Sequence, residues 1–306
     1  MYTPRLVTSL QLFFVGLFVI TLASCQKEVH IDLGTSPKQI VVEGQIENGL
    51  PPFVLITSTL GFFSNIDLSS LEKSFIHGAV VKVSDGSHTM TLKEYTIDTG
   101  SSGSSAKFYV YGIDTTNIAN VIIGQIGKTY TLTITSEGQT YTAITKIPAP
   151  KGVDTLWFAD PEFQSDKTPK KARQLFANYT DPDTMGNYVR YYTQRNGGAF
   201  FPVGIFSDEI VNGKTINNIA LYGGYENTVD AKGDSLRYFY PGDTVVLKWS
   251  EIDKGVYTFW NTDQFAASAV GNPFASPINV TSNISNGALG VWAGYGSIFK
   301  TIIVPN

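Results

Sequence analysis

The chain has 306 residues, 42% of them hydrophobic and 13% aromatic, which supplies a packed core and excludes a disordered chain. Its 22 basic and 26 acidic residues leave a formal charge of -4, so the basic footprint of a nucleic-acid partner or a polybasic membrane patch is missing. A single cysteine excludes a disulfide frame and a zinc-thiolate centre, and stability must come from the core.

At the N-terminus Arg5 precedes an apolar run from Leu10 to Leu22, the small pair Ala23-Ser24 and then Cys25. This order reads as a secretory signal over residues 1–24, since about 13 apolar residues fall short of the roughly 20 that cross a bilayer. Leu22-Ala23-Ser24-Cys25 is similar to the bacterial lipobox, which implies cleavage after Ser24 and a covalent lipid on Cys25. Each buried methylene adds about 0.8 kcal/mol of membrane affinity, so two or more acyl chains anchor stably. The alternative is an ordinary signal followed by an incidental cysteine. Residues 25–36 are expected to form a lipidated tether, in which Glu28 and Asp32 resemble, without an acidic run, the export signal of surface lipoproteins in Bacteroidota-type bacteria.

From Gln39 onward, β-branched and aromatic runs alternate with turn residues. Strands are expected over Gln39 to Gly44, Phe53 to Thr59, Ala79 to Asp85, Thr89 to Glu94, Phe108 to Gly112, Thr129 to Ser136 and Gln139 to Ile147. Glu137-Gly138 splits the last two into a hairpin. About seven strands over residues 37–148 predict an immunoglobulin-like or prealbumin-like β-sandwich. Asp98 to Ser105 reads as a Gly/Ser loop, either a binding loop or a solvated hairpin tip. Pro148-Ala149-Pro150 removes ladder donors and reads as the linker to a second β-rich domain over residues 149–306.

In that second half, strands are expected over Arg173 to Tyr179, Asn187 to Gln194, Arg237 to Tyr240, Thr244 to Trp249, Ala288 to Ala293 and Phe299 to Val304. One helix, near residues 252–270, follows from the spacing of Val256, Phe259, Trp260 and Phe265 and from the stop Gly271-Asn272-Pro273. The fold class is thus mainly β.

Chemistry-bearing patterns are sparse. His30, His77 and His88 lack the spacing of a zinc pair, and no G-x-S-x-G elbow occurs. Asp181 and Asp183, around the turn at Gly186, are weak calcium candidates, and Asp230 to Asp234 offer a poorer set; neither fits an EF-hand loop, and the alternative is a polar turn. Tyr191 and Tyr192 are strand neighbours and point to opposite faces, so in a half-exposed sheet one of them would be free for a glycan, peptide or protein partner. In a sheet packed on both faces, both are core. Phe200 and Phe201, on the stretch Gly197 to Pro202, read as a second aromatic binding feature on a loop.

Gly271-Asn272-Pro273-Phe274-Ala275-Ser276-Pro277 running into Ser282 to Gly290, with Val41-Val42-Glu43-Gly44, Gly78-Ala79-Val80-Val81, Thr129-Tyr130-Thr131-Leu132 and Asp181-Pro182 before Asn187-Tyr188, resembles a Bacteroidota lipoprotein family, domain of unknown function 4249. The resemblance implies a β-rich outer-membrane lipoprotein facing the cell exterior, often encoded beside a TonB-dependent transporter, and carries over no catalytic residue. The expected role is a non-enzymatic accessory or ligand-capture partner of such a transporter, taking a glycan or peptide, with no cofactor beyond the lipid. An adhesin or surface-structure subunit and a surface glycan or peptide hydrolase are the alternatives.

Overall fold

Strict alternation of apolar and polar residues builds the most regular hairpin of the molecule. In β6 (Thr129–Ser136), Tyr130, Leu132 and Ile134 point to one face and are buried, and β7 (Gln139–Lys146) returns in register with Ser136 opposite Gln139. Glu137 and Gly138 both take positive φ, 49° and 77°, the turn whose twist matches the strands it joins. The computed structural model describes residues 38–60, 67–98, 107–164, 166, 168–224, 235, 237–270 and 279–306. The signal with Leu22, Ala23 and Ser24, the lipidation residue Cys25, the tether, residues 99–105 of the Gly/Ser loop, the acidic loop 230–234 and residues 271–277 of the C-terminal motif lie outside them.

The fold is mainly β. In the first half run β1 (Ile40–Glu47), β2 (Phe53–Ser58), β3 (Val80–Ser84), β4 (Thr89–Asp98), β5 (Lys107–Gly112), β6 and β7. β4 changes partner midway: Thr89 to Leu92 pair with β3, and Lys93 to Asp98 pair with β5. This bend turns the hydrogen-bonded order β1-β2-β5-β4-β3-β6-β7 onto itself around a shared core of Val42, Val54, Ile56, Val81, Leu132 and Ile134. A short helix, α1 (Leu68–Ser74), was not foreseen; Asp67 and Ser70 form a reciprocal cap, but seven residues carry too little periodicity to stand out.

The second half contributes β8 (Thr155–Ala159), β9 (Gln174–Thr180), β10 (Tyr188–Arg195), β11 (Phe201–Ser207), β12 (Thr215–Leu221), β13 (Thr244–Ile252), α2 (Lys254–Ala269) and β14 (Leu289–Ile303). Three readings are corrected. The two late strands are a single 15-residue strand, β14. Arg237 to Tyr240 makes only a bridge between Phe239 and Arg173, because Asp243 accepts the Tyr240 amide at 2.9 Å and turns the chain. Gly197 to Pro202 is not all loop, since Phe201 opens β11 opposite Thr193.

Strands from both sides of the Pro148-Ala149-Pro150 linker share one eleven-stranded sheet, because β1 pairs in parallel with β14 from Val41↔Leu289 to Glu47↔Tyr295. Beyond Tyr295, β14 continues antiparallel to β13, and β10 and β11 extend that side. Glycines let other backbones cross β14 closely. Gly290, at φ 108°, has no room for a Cβ, which would meet the Val42 carbonyl oxygen at 1.8 Å, and a Cβ at Gly294 would stand 2.4 Å from the Lys146 oxygen. Trp292 between them is fully buried in the first core and donates its indole N–H to the Tyr130 carbonyl at 3.1 Å. The β10-β13 sheet is covered on one face by β12-β9-β8 and on the other by α2.

Candidate functional site

In β13 the side-chain period of two sends Val245, Leu247, Trp249 and Glu251 to one face, toward the three-stranded sheet. Glu251 is thus an acid in core phase, 3% exposed, opposite Val189 of β10. Two further acids arrive where strands end. Asp181 follows β9, and its Oδ2 accepts the Gly213 amide at 3.2 Å; Asp208 follows β11, and its Oδ2 accepts the amides of Gly186 and Asn187 at 2.7 and 2.9 Å. Both are buried. Tyr179, near the end of β9, donates its hydroxyl to Glu251 Oε1 at 3.2 Å.

Among the described residues no Lys, Arg or His pairs with Asp181, Asp208 or Glu251. Lys151 lies 5.6 Å from the Tyr179 ring centre but holds Asp154 at 2.7 Å. Burial therefore pushes Glu251 up to about 8, with the charge of Asp181 adding to it, and pushes Asp181 above its ordinary range with Asp208 adding. The Tyr179 hydroxyl is raised in turn, by burial first and by Glu251 second.

Two cavities open on this cluster. One, of about 340 Å³, has Val189, Phe206, Ile216, Ile219 and Trp249 among its apolar walls and Asp181 and Asp208 on its polar side. The other, of about 620 Å³, has Glu251 and Asn187 in its lining and Lys146, Asp253 and Lys254 beside them. Asp253 builds that wall: it caps α2 by accepting the Val256 amide at 2.9 Å, and accepts the Thr145 hydroxyl and the Lys146 amide at 2.7 and 3.0 Å. In the smaller cavity Trp249 is 2% exposed, and its indole Nε1 finds no acceptor among the described residues. Its ring packs on Tyr179, Phe206 and Tyr191 at 5.2, 6.0 and 6.2 Å between centres.

The calcium candidates part company, since Asp181 is buried in this cluster and Asp183 is exposed. Among the described residues no three His, Cys, Asp or Glu side chains converge as a metal site. The aromatic candidates also divide. Tyr191 faces the three-stranded sheet, stacks on Phe206 at 5.7 Å and accepts the Tyr222 amide at 3.1 Å. Tyr192 faces α2, where its ring lies 5.0 Å from Lys248 Nζ and 5.2 Å from the Arg190 guanidinium. Phe200 is 6.0 Å from the same Lys248 and edges onto Phe299, so Tyr192 and Phe200 share one face while Tyr191 is core on the other. Tyr191 is thus buried in the core and Tyr192 half-buried on the α2 side.

Glu251, Asp208 and Trp249 were not foreseen as site residues. The phase of Glu251 with Val245, Leu247 and Trp249 is legible in the sequence and flags a buried acid; Asp208, after a strand that was itself missed, carries no such signal. Asp181-Pro182 and Asn187-Tyr188, quoted above for their family resemblance, flank this site. Neither the comparison with curated proteins nor that with solved structures found a match. The model of a domain of unknown function (DUF4249) matches residues 26–298, and the chain belongs to that family.

Proposed function

We propose that this chain is a lipid-anchored outer-membrane protein, facing the cell exterior, that works as a non-enzymatic accessory or ligand-capture partner of a TonB-dependent transporter. The observation that carries the capture reading is the preformed cavity behind Trp249, of about 340 Å³, with apolar walls and the acids Asp181, Asp208 and Glu209 in its lining. Small-molecule sites have this size and this mixture of apolar lining and few polar groups. The anchor reading rests on Leu22-Ala23-Ser24-Cys25, and the transporter on the family resemblance. Capture without turnover is supported by the use already made of the polar atoms: Asp208 holds two loop amides, Asp181 holds a third, and Tyr179 is bonded to Glu251.

A pull-down from detergent-solubilised membranes tests the partner, with co-purification of a transporter expected and its absence counting against the reading. Cys25→Ser should stay uncut and take up no labelled fatty acid; normal maturation would remove the anchor. A surface hydrolase has one observation in its favour, since Glu251 holds its proton to about pH 8, as a general acid must. Hydrolysis of glycans or peptides by the parent and not by Glu251→Gln would establish that reading instead.

A further inference from the structure

We propose that the cavity between Trp249, Phe206, Asp181 and Asp208 takes an organic ammonium ligand that carries an adjacent hydrogen-bond acceptor and an apolar side chain. This is the chemistry of an amino-acid amide or a peptide N-terminus. The inference deepens the ligand-capture reading and rests on that part of it alone.

Three independent features of the cavity define the three parts of the ligand. Asp181 and Asp208 are buried there without a cation among the described residues, the exposed Glu209 stands beside them, and Asp208 uses only Oδ2 for the loop amides, so an ammonium group would supply the charge the fold leaves out. The indole N–H of Trp249, almost fully buried, has no acceptor among the described residues, and a ligand carbonyl would take it. Val189, Ile216 and Ile219 with the rings of Phe206 and Trp249 form an apolar wall that suits an aliphatic side chain. Entry is open on the side of Ile210, which is 86% exposed. A free amino acid is disfavoured, because its carboxylate would stand beside three acids.

The test titrates the purified full chain with leucinamide, a leucyl tripeptide amide, N-acetylleucinamide, leucine and calcium, each followed by calorimetry. Saturable binding of leucinamide or the tripeptide amide is expected, at least tenfold tighter than binding of the acetylated compound or of leucine, and the tighter of the two identifies the source. Asp181→Asn should weaken binding at least tenfold, and Trp249→Phe about fivefold, with thermal unfolding as cooperative as in the parent. Equal binding of the acetylated compound, calcium binding that displaces leucinamide, or no saturable binding at millimolar ligand would each overturn the proposal. Should Asp181→Asn fail to fold, the parent titrations with charged and acetylated ligand decide. Failure here leaves a recovered transporter untouched, and failure of the pull-down leaves amine binding untouched.

Discussion

The first half of the molecule and the core behind Trp249 differ in how they compensate their carboxylates. Burial pushes Glu94 of β4 up, but His77 at 2.6 Å, the Gly78 amide and the Tyr111 hydroxyl outweigh it and hold the acid below its ordinary range. Glu47 at the end of β1 is buried against Lys248 at 2.7 Å, and in the second half Asp243 likewise holds Arg195 at 2.8 Å. Glu251 has the Tyr179 hydroxyl and the Lys151 amide but no cation among the described residues, and burial pushes it up to about 8. An acid that the fold alone requires is given a cation or several donors, because an uncompensated one costs too much. Asp181 and Glu251 depart from that practice beside the cavities, where a ligand can complete the compensation.

The largest expected effect probes the junction between the two regions. Gly290→Ala forces a Cβ into the Val42 carbonyl at φ 108° and should cost about 5 kcal/mol in urea unfolding, enough to abolish folding. Gly86→Ala, at φ 90° with open space around it, is the control and should cost only about 1–2 kcal/mol. Equal losses at the two positions would show that close approach of β1 to β14 does not matter.

Next comes the pH dependence of the parent. Glu251 is raised in the folded state, so its contribution to stability is fully present below the ordinary glutamate range and is lost as pH rises toward about 8. The loss is on the order of 5 kcal/mol, from roughly 1.4 kcal/mol per pH unit. Glu251→Gln should remove this slope and be the more stable protein at pH 9. A parent stability that is flat from pH 5 to 9 would end the contrast between Glu251 and Glu94.

The smallest effect concerns the compensated acid. Lys248→Met should destabilise by about 3 kcal/mol because it strands Glu47, and adding Glu47→Gln should recover part of that loss. If the double variant is no better than the single one, packing of the lysine stem among Tyr192, Tyr295 and Phe299 sets the cost.

Much of the fold was legible because the strand signal is local. The hairpin at Glu137-Gly138, the alternation in β13 and the helix stripe Val256, Phe259 and Trp260 each depend on residues a few positions apart. Where the reading failed, a local signal had a non-local cause. Gly294 and Gly296 look like a break between two strands, but they stay within β14 and clear the way for the backbone of Lys146 and Pro148. Phe200 and Phe201 looked like a loop because the glycines before them masked the start of β11.

The sequence by itself determined the β character, the positions of most strands and the family, since side-chain period, turn chemistry and motif order are properties of short segments. The tertiary structure alone decided that β1 lies beside β14, and that Asp181, Asp208 and Glu251 meet at neighbouring strand ends without a paired cation among the described residues. Both outcomes depend on pairing between distant segments and on the burial it produces, and burial is what sets the charge state of an acid.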